Sequence, residues 1–298
     1  MAGLTARSAI LKSATEALVD CLLEYEVSGP AHFLFNIEAA FHEGHEVQEE
    51  RLTITPSMKV RNFHDERSGN RFFRLDAPKG VLTVNYHARV LLNAAPVPLH
   101  LGETPVTALP DDVLHYLLPS RYCESDSLGL VAQQMFGKLP PGIQRVQAIE
   151  NWIYESVQYR PGFTRSTTTA QDVFVQRVGV CRDFAHLGIT LCRALNIPAR
   201  LVVGYVYFDE PPQDFHALFE AWLDGRWVLF DATRSAPIDR LVRIGSGRDA
   251  KDVAFATIFG SVKMLRMQIT VDEGDLPSDA AATATGPAPA MPVSTAGF

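Results

Sequence analysis

Arg177-Val178-Gly179-Val180-Cys181-Arg182-Asp183-Phe184-Ala185-His186 is the stretch from which the rest of the chain can be read. Gly179 stands just before an apolar-periodic run, a tight entry into a helix that puts Cys181 in or just before the first turn. There the backbone N–H groups lack intrahelical partners and the helix dipole favours negative charge. A thiol in that place loses its proton more easily, and the thiolate is the nucleophile. The same N–H groups can stabilise an oxyanion on an attacked carbonyl. Free cysteine otherwise packs as a small buried hydrophobe, and Cys192 fits that reading. It lies eleven residues on in the same helix, about 16 Å away at 1.5 Å rise per residue. Bridged Cα atoms lie within about 7 Å, which excludes a Cys181–Cys192 disulfide. Cys21 and Cys123 have no reactive neighbours in sequence, and all four cysteines are expected as free thiols.

A nucleophilic thiol needs an imidazole to take its proton and a carboxylate or amide to orient that imidazole. Phe215-His216-Ala217-Leu218-Phe219-Glu220-Ala221-Trp222 alternates like a strand, Asp224-Gly225 is a tight-turn signal, and Trp227-Val228-Leu229-Phe230-Asp231 reads as the returning strand. If Leu223 faces Arg226 across the turn, Asp231 falls opposite Leu218. His216 is then on the same face, diagonally across the pair, where Cα atoms are roughly 7–8 Å apart and an Asp–His hydrogen bond can form. A one-residue slip would put the two on opposite faces. Taken singly, His216 reads as a half-buried strand histidine and Asp231 as a strand-end cap. In the order Cys181, His216, Asp231, the catalytic reading is the better one.

Outward from this centre, residues 111–118, 125–136 and 142–159 show helical periodicity, with Val146, Ile149, Ile153 and Val157 marking one buried face. A short helix is expected over 171–177 and a longer one over 181–195. Strands follow at 200–208, 215–223 and 227–230, then a Gly-rich loop at 245–247 and a last strand at 262–271. The N-terminal part reads instead as short strands (31–37, 50–54, 59–63, 71–75 and 81–92) separated by Ser28-Gly29-Pro30, Ser68-Gly69-Asn70 and Pro78-Lys79-Gly80. Their spacing suggests an antiparallel sheet or small sandwich. His42 and His45 lack the helical spacing of a metal-binding His pair and are expected in a solvated loop. The expected division is a β-rich N-terminal domain (1–118), an α+β catalytic domain (119–272) and a disordered tail (273–298) poor in large apolar residues.

The chain has 298 residues, 47% hydrophobic and 20% charged, the composition of an ordinary globular protein. With 27 Lys plus Arg against 34 Asp plus Glu, its net charge of -7 argues against broad nucleic-acid binding. No apolar run is long enough for a membrane-spanning helix, and Lys12, Glu16 and Asp20 interrupt the N-terminal segment. A cytoplasmic location without membrane association is therefore expected.

Several separated segments resemble, in order and spacing, the bacterial members of the transglutaminase-like superfamily of papain-type thiol enzymes. They are Gly179 to His186, Ala194-Leu195-Asn196-Ile197-Pro198-Ala199-Arg200, Asp214-Phe215-His216-Ala217 and Phe230-Asp231-Ala232-Thr233. Pro119-Ser120-Arg121-Tyr122-Cys123-Glu124-Ser125-Asp126 and Gly247-Arg248-Asp249 match as well, and the β-rich N-terminal part resembles the accessory domain that precedes this core. The resemblance implies an α+β papain-like core, with a helix-borne cysteine packed on an antiparallel sheet. It also implies a catalytic triad of Cys181, His216 and Asp231. Where the family often has Asp-Pro-Thr, this chain has Asp231-Ala232-Thr233. Tyr159 and Gln176 are the side-chain candidates for an oxyanion hole beside the Cys181 N–H. Asp183 and His186 are expected to support the site from the same helix. No cofactor and no metal is expected, since no acidic loop suited to calcium is apparent. The implied activity is acyl transfer on a peptide or carboxamide of a protein or peptide substrate through a thioester, by a cysteine protease, amidase or transglutaminase. A non-catalytic peptide-binding module on the same fold is the alternative.

Overall fold

A computed structural model describes residues 15–93, 98, 100–208 and 213–275. In the N-terminal part, β1 (Thr15–Val27), β2 (Ala31–Phe35), β3 (His45–Thr55), β4 (Arg61–His64), β5 (Arg71–Ala77) and β6 (Gly80–Leu92) are all antiparallel strands. Along β1, Ala17, Val19, Cys21, Leu23, Tyr25 and Val27 are buried while the intervening residues reach outward, the two-residue period of a half-buried strand. Leu82, Val84, Tyr86, Ala88 and Val90 do the same on β6. These faces meet Phe33, Phe35, Phe73 and Leu75 of the second sheet, with Tyr25 and Phe33 ring centroids 5.3 Å apart and Phe35 and Phe73 5.0 Å apart. The result is a sandwich.

The second half contributes α1 (Gly129–Phe136), α2 (Ile143–Ser156), β7 (Gln158–Tyr159), α3 (Ala170–Gln176), β8 (Val178–Gly179) and α4 (Cys181–Ala194). The strands β9 (Ala199–Tyr205), β10 (Phe215–Leu223), β11 (Arg226–Phe230) and β12 (Val242–Gly247) then form a sheet in the order β11-β10-β9-β12. The expected inner face of α2 is buried, Val146, Ile149 and Ile153 completely. The residues of α4 from Cys181 to Arg193 are all buried, with the helix sandwiched between the sheet and the other helices.

Two further strands, β13 (Ala256–Phe259) and β14 (Val262–Asp275), return to the N-terminal sheets. β14 pairs with β1 from Val27↔Val262 to Thr15↔Asp275, and β13 pairs with β2. Both strands lie in sequence within the stretch expected as the catalytic domain (119–272), yet they pair with strands of the stretch expected as the N-terminal domain (1–118). Residues 273–275 lie in β14, and the rest of the expected tail falls outside the described residues.

Other expectations change locally. The helix expected over 111–118 is a single 3-10 turn, Leu114–Leu117, and that over 125–136 begins only at Gly129. The Gly-rich loop at 245–247 is the end of β12. Its glycine is needed for close approach: a Cβ on Gly245 would lie 2.8 Å from Asn70 Oδ1. Asn70 Nδ2 donates to Ser246 O at 2.9 Å and Asn70 Oδ1 accepts from Ser246 N–H at 2.9 Å, joining the sandwich to the core sheet. The solvated loop expected around His42 and His45 is also corrected. His45 is buried at the start of β3, its Nε2 2.7 Å from Ala40 O. No group of residues suited to a metal ion occurs among the described residues.

Candidate active site

Cys181 is the first residue of α4 and is 7% exposed. The turn that delivers it is held by Asp183, whose Oδ2 accepts the Val180 N–H at 3.0 Å and the Thr164 hydroxyl at 2.7 Å. A carboxylate three residues into a helix, reaching back to the N-cap N–H, satisfies an amide that the helix itself cannot. Gly179 leaves room for this, since a Cβ there would lie 2.8 Å from Asp183 Cβ. The buried Arg182 covers the other carboxylate oxygen, with Nη2 2.9 Å from Asp183 Oδ1, and its Nη2 also donates to Arg165 O at 2.9 Å. Asp183 thus shapes the approach to Cys181 without pointing at the sulfur.

The hairpin has the expected register, Leu223↔Arg226 through Phe219↔Phe230. Asp224 and Gly225 both have positive φ, at 45° and 76°, as a two-residue turn that matches strand twist requires. Asp231 follows the last pair, and its Oδ2 accepts from His216 Nε2 at 2.9 Å. Its Oδ1 accepts both the backbone N–H (2.9 Å) and the hydroxyl (2.7 Å) of Thr233. Burial opposes charge on Asp231, but hydrogen bonds from His216 and Thr233 and the imidazolium's charge outweigh it, holding the carboxyl below its usual range. Burial likewise opposes the imidazolium of His216. Hydrogen bonds to Asp231 and Cys181, and the negative charge each can carry, raise its pKa to about 10. Since Nε2 is engaged by Asp231, Nδ1 is the nitrogen left for the thiol. Cys181, His216 and Asp231 therefore meet in one place.

Of the two oxyanion candidates, Tyr159 and not Gln176 is at the thiol. The Tyr159 hydroxyl is in hydrogen-bonding reach of both the Cys181 backbone N–H and its sulfur, because β7 pairs in parallel with β8, the segment leading into α4. Burial and the neighbouring Cys181 and Asp214 raise its pKa. Gln176 is exposed at the end of α3, with no hydrogen bond to Cys181 among the described residues. His186 makes no hydrogen bond to Cys181, His216 or Asp231 among the described residues. Its Nε2 accepts the Ala250 N–H at 3.1 Å and its ring stacks on Tyr122 at 5.1 Å. Burial, with Arg182 and Arg193 nearby, holds its pKa well below the usual value, so it is neutral. Three neighbours escaped sequence reasoning. Thr233 clamps Asp231, Glu150 of α2 accepts a hydrogen bond from the Asp231 backbone N–H, and Asp214 acts electrostatically on both His216 and Tyr159. Thr233 and Asp214 stood within the motifs quoted above, whereas nothing in the spacing of Glu150 signals its place.

Residues 130–232 match the family model of the transglutaminase-like superfamily, and residues 17–94 match that of the bacterial transglutaminase N-terminal domain. A putative cysteine protease from Cytophaga hutchinsonii, solved by crystallography, is 40% identical, with a TM-score of 0.83 over 92% of this chain and 95% of that one. The chain belongs to the transglutaminase-like superfamily. Its α+β core with a preceding β-rich domain is the arrangement the two models describe in succession. Among curated relatives, an uncharacterized protein of Mycobacterium leprae is 35% identical over 120 residues, covering 37% of this chain and 42% of its own length. One from Mycobacterium bovis is 28% identical over 229 residues, covering 68% and 73%. The chain thus spans less than half of the M. leprae relative.

Proposed function

We propose that this superfamily member is a thiol-dependent acyl-transfer enzyme acting on a peptide or carboxamide bond of a protein or peptide. The observation that carries the reading is the convergence on His216 of a carboxylate at 2.9 Å on one side and the Cys181 thiol on the other. In this reading His216 takes the thiol proton, and Asp231, fixed by Thr233, holds the ring and favours its charged form. The sulfur adds to the carbonyl carbon, and the Cys181 N–H with the Tyr159 hydroxyl stabilises the oxyanion. Collapse of the tetrahedral species breaks the C–N bond, His216 gives its proton to the departing nitrogen, and a thioester remains for water or an amine to release.

Alkylation of the native protein by iodoacetamide at neutral pH tests the assignment, read by mass spectrometry of each cysteine. Cys21, Cys123 and Cys192 are fully buried, and burial raises the pKa of each, Cys21 and Cys123 to about 12. Cys181 alone should be modified, and Cys181→Ala should take up no label. Labelling spread evenly over the four would remove the activated thiol and leave a peptide-binding module.

A further inference from the structure

Asp214 directly precedes β10, two residues before His216. Side chains two residues apart on an extended segment share a face, about 6.6 Å apart along the strand. Its carboxylate acts on His216 and on the Tyr159 hydroxyl, which places it at the mouth of the site. Asp214 and Tyr159 are both exposed to solvent. The only hydrogen bond Asp214 accepts among the described residues is from the adjacent Phe215 N–H at 2.7 Å, and none of their Lys or Arg side chains pairs with it. Crowding pushes its carboxyl up to about 6, while the Phe215 N–H and the charge of His216 favour the anion.

The chemistry says which side of the substrate this anion meets. In acyl transfer the imidazole gives its proton to the departing nitrogen and takes one from the incoming nucleophile. Groups flanking His216 on its own strand therefore face the amine side of the acyl bond. Resting on the acyl-transfer reading above, we propose that Asp214 selects a positively charged residue on that amine side. By microscopic reversibility the same contact serves a leaving amine and an incoming one. In the incoming direction the neutral amine nitrogen attacks the thioester carbon, the N–C bond forms and the C–S bond breaks. One amine proton passes to His216 and from it to the sulfur. Asp214 exchanges no proton in these steps and only holds the charge beside them.

The experiment uses the full chain, acylated by p-nitrophenyl acetate, with argininamide or citrullinamide as acceptor. The two acceptors present the same α-amine and differ only in distal charge. The expected wild-type result is a partition toward argininamide over citrullinamide of roughly three- to tenfold, the range of one partly solvated charge pair. In Asp214→Asn that preference should vanish, and added salt should erode it in the wild type. Equal partition in the wild type, or a preference that survives in Asp214→Asn, would overturn the inference while leaving the triad standing. If no acetyl-enzyme forms on Cys181 with either protein, the acyl-transfer reading itself falls first, and this inference falls with it.

Discussion

Replacing Asp231 by Asn should change how stability depends on pH, and in one direction only. His216 has its pKa raised to about 10 in the folded chain, against an unfolded value near 6.5. Between those values the folded protein keeps a proton that the unfolded chain has lost. Its contribution to stability is therefore complete below about pH 6.5 and is lost as pH rises toward 10. At about 1.4 kcal/mol per unit, the ceiling of this term is about 5 kcal/mol. Burial works against the raised value, and among the groups that raise it the hydrogen bond to Asp231 is the largest. In Asp231→Asn the slope should flatten, so that the wild type loses about 2 kcal/mol more than the variant between pH 6.5 and 10. Asp231 itself has the opposite sign. Its lowered carboxyl adds stability above the unfolded value near 3.9 and loses it as pH falls. Urea unfolding followed by tryptophan fluorescence at several pH values measures both limbs. Buried Cys21 and Cys123 also lower alkaline stability, but equally in the two proteins, so the difference isolates His216. Curves for wild type and variant that stay parallel from pH 6.5 to 10 would refute the reasoning.

Three substitutions probe the surroundings. Tyr159→Phe should slow acetylation of Cys181 by p-nitrophenyl acetate on the order of 100-fold, as loss of an oxyanion donor does, whereas Gln176→Ala should leave the rate unchanged; stopped-flow burst kinetics read both. Asp183→Ala strips partners from the Val180 N–H, the Thr164 hydroxyl and the buried Arg182 at once. It should cost about 3–5 kcal/mol in urea unfolding, the cost of breaking a buried pair by removing one partner.

Much of this site could be read before any coordinates, because its decisive relation is local. His216 and Asp231 are 15 residues apart, and a two-residue turn fixes their parity. The helix beginning at Cys181 and the buried face of α2 were legible for the same reason, since each is written in a run of neighbours. What escaped notice depends on distant chain. β1 carries a regular inner face, but Glu16, Asp20, Glu24 and Glu26 on its outer side broke the apolar run. Its partners β6 and β14 lie far along the sequence. The end of β12 carries Gly245, Ser246 and Gly247, turn formers by type, where Gly245 leaves room for Asn70 of the sandwich and Gly247 for Asp252. His186 sits in a motif beside Cys181, yet its ring faces Tyr122 and Ala250, since positions five apart on a helix point about 140° from each other.

Cys181, His216 and Asp231 are held together by two kinds of constraint that fail differently. His216 and Asp231 hold their relation through strand pairing, so any odd-length insertion in the Asp224-Gly225 turn would send one of them to the opposite face. Cys181 and His216 hold theirs through the packing of α4 on β10, which no local pattern specifies. Cavity-forming changes under α4 should therefore separate sulfur from imidazole before they disturb the imidazole–carboxylate pair. The sulfur would lose its reactivity while the His216–Asp231 bond, inside its own hairpin, kept its length. A site built this way has a hydrogen-bonded imidazole–carboxylate pair inside one hairpin and a thiol that is only as well placed as the core beneath it.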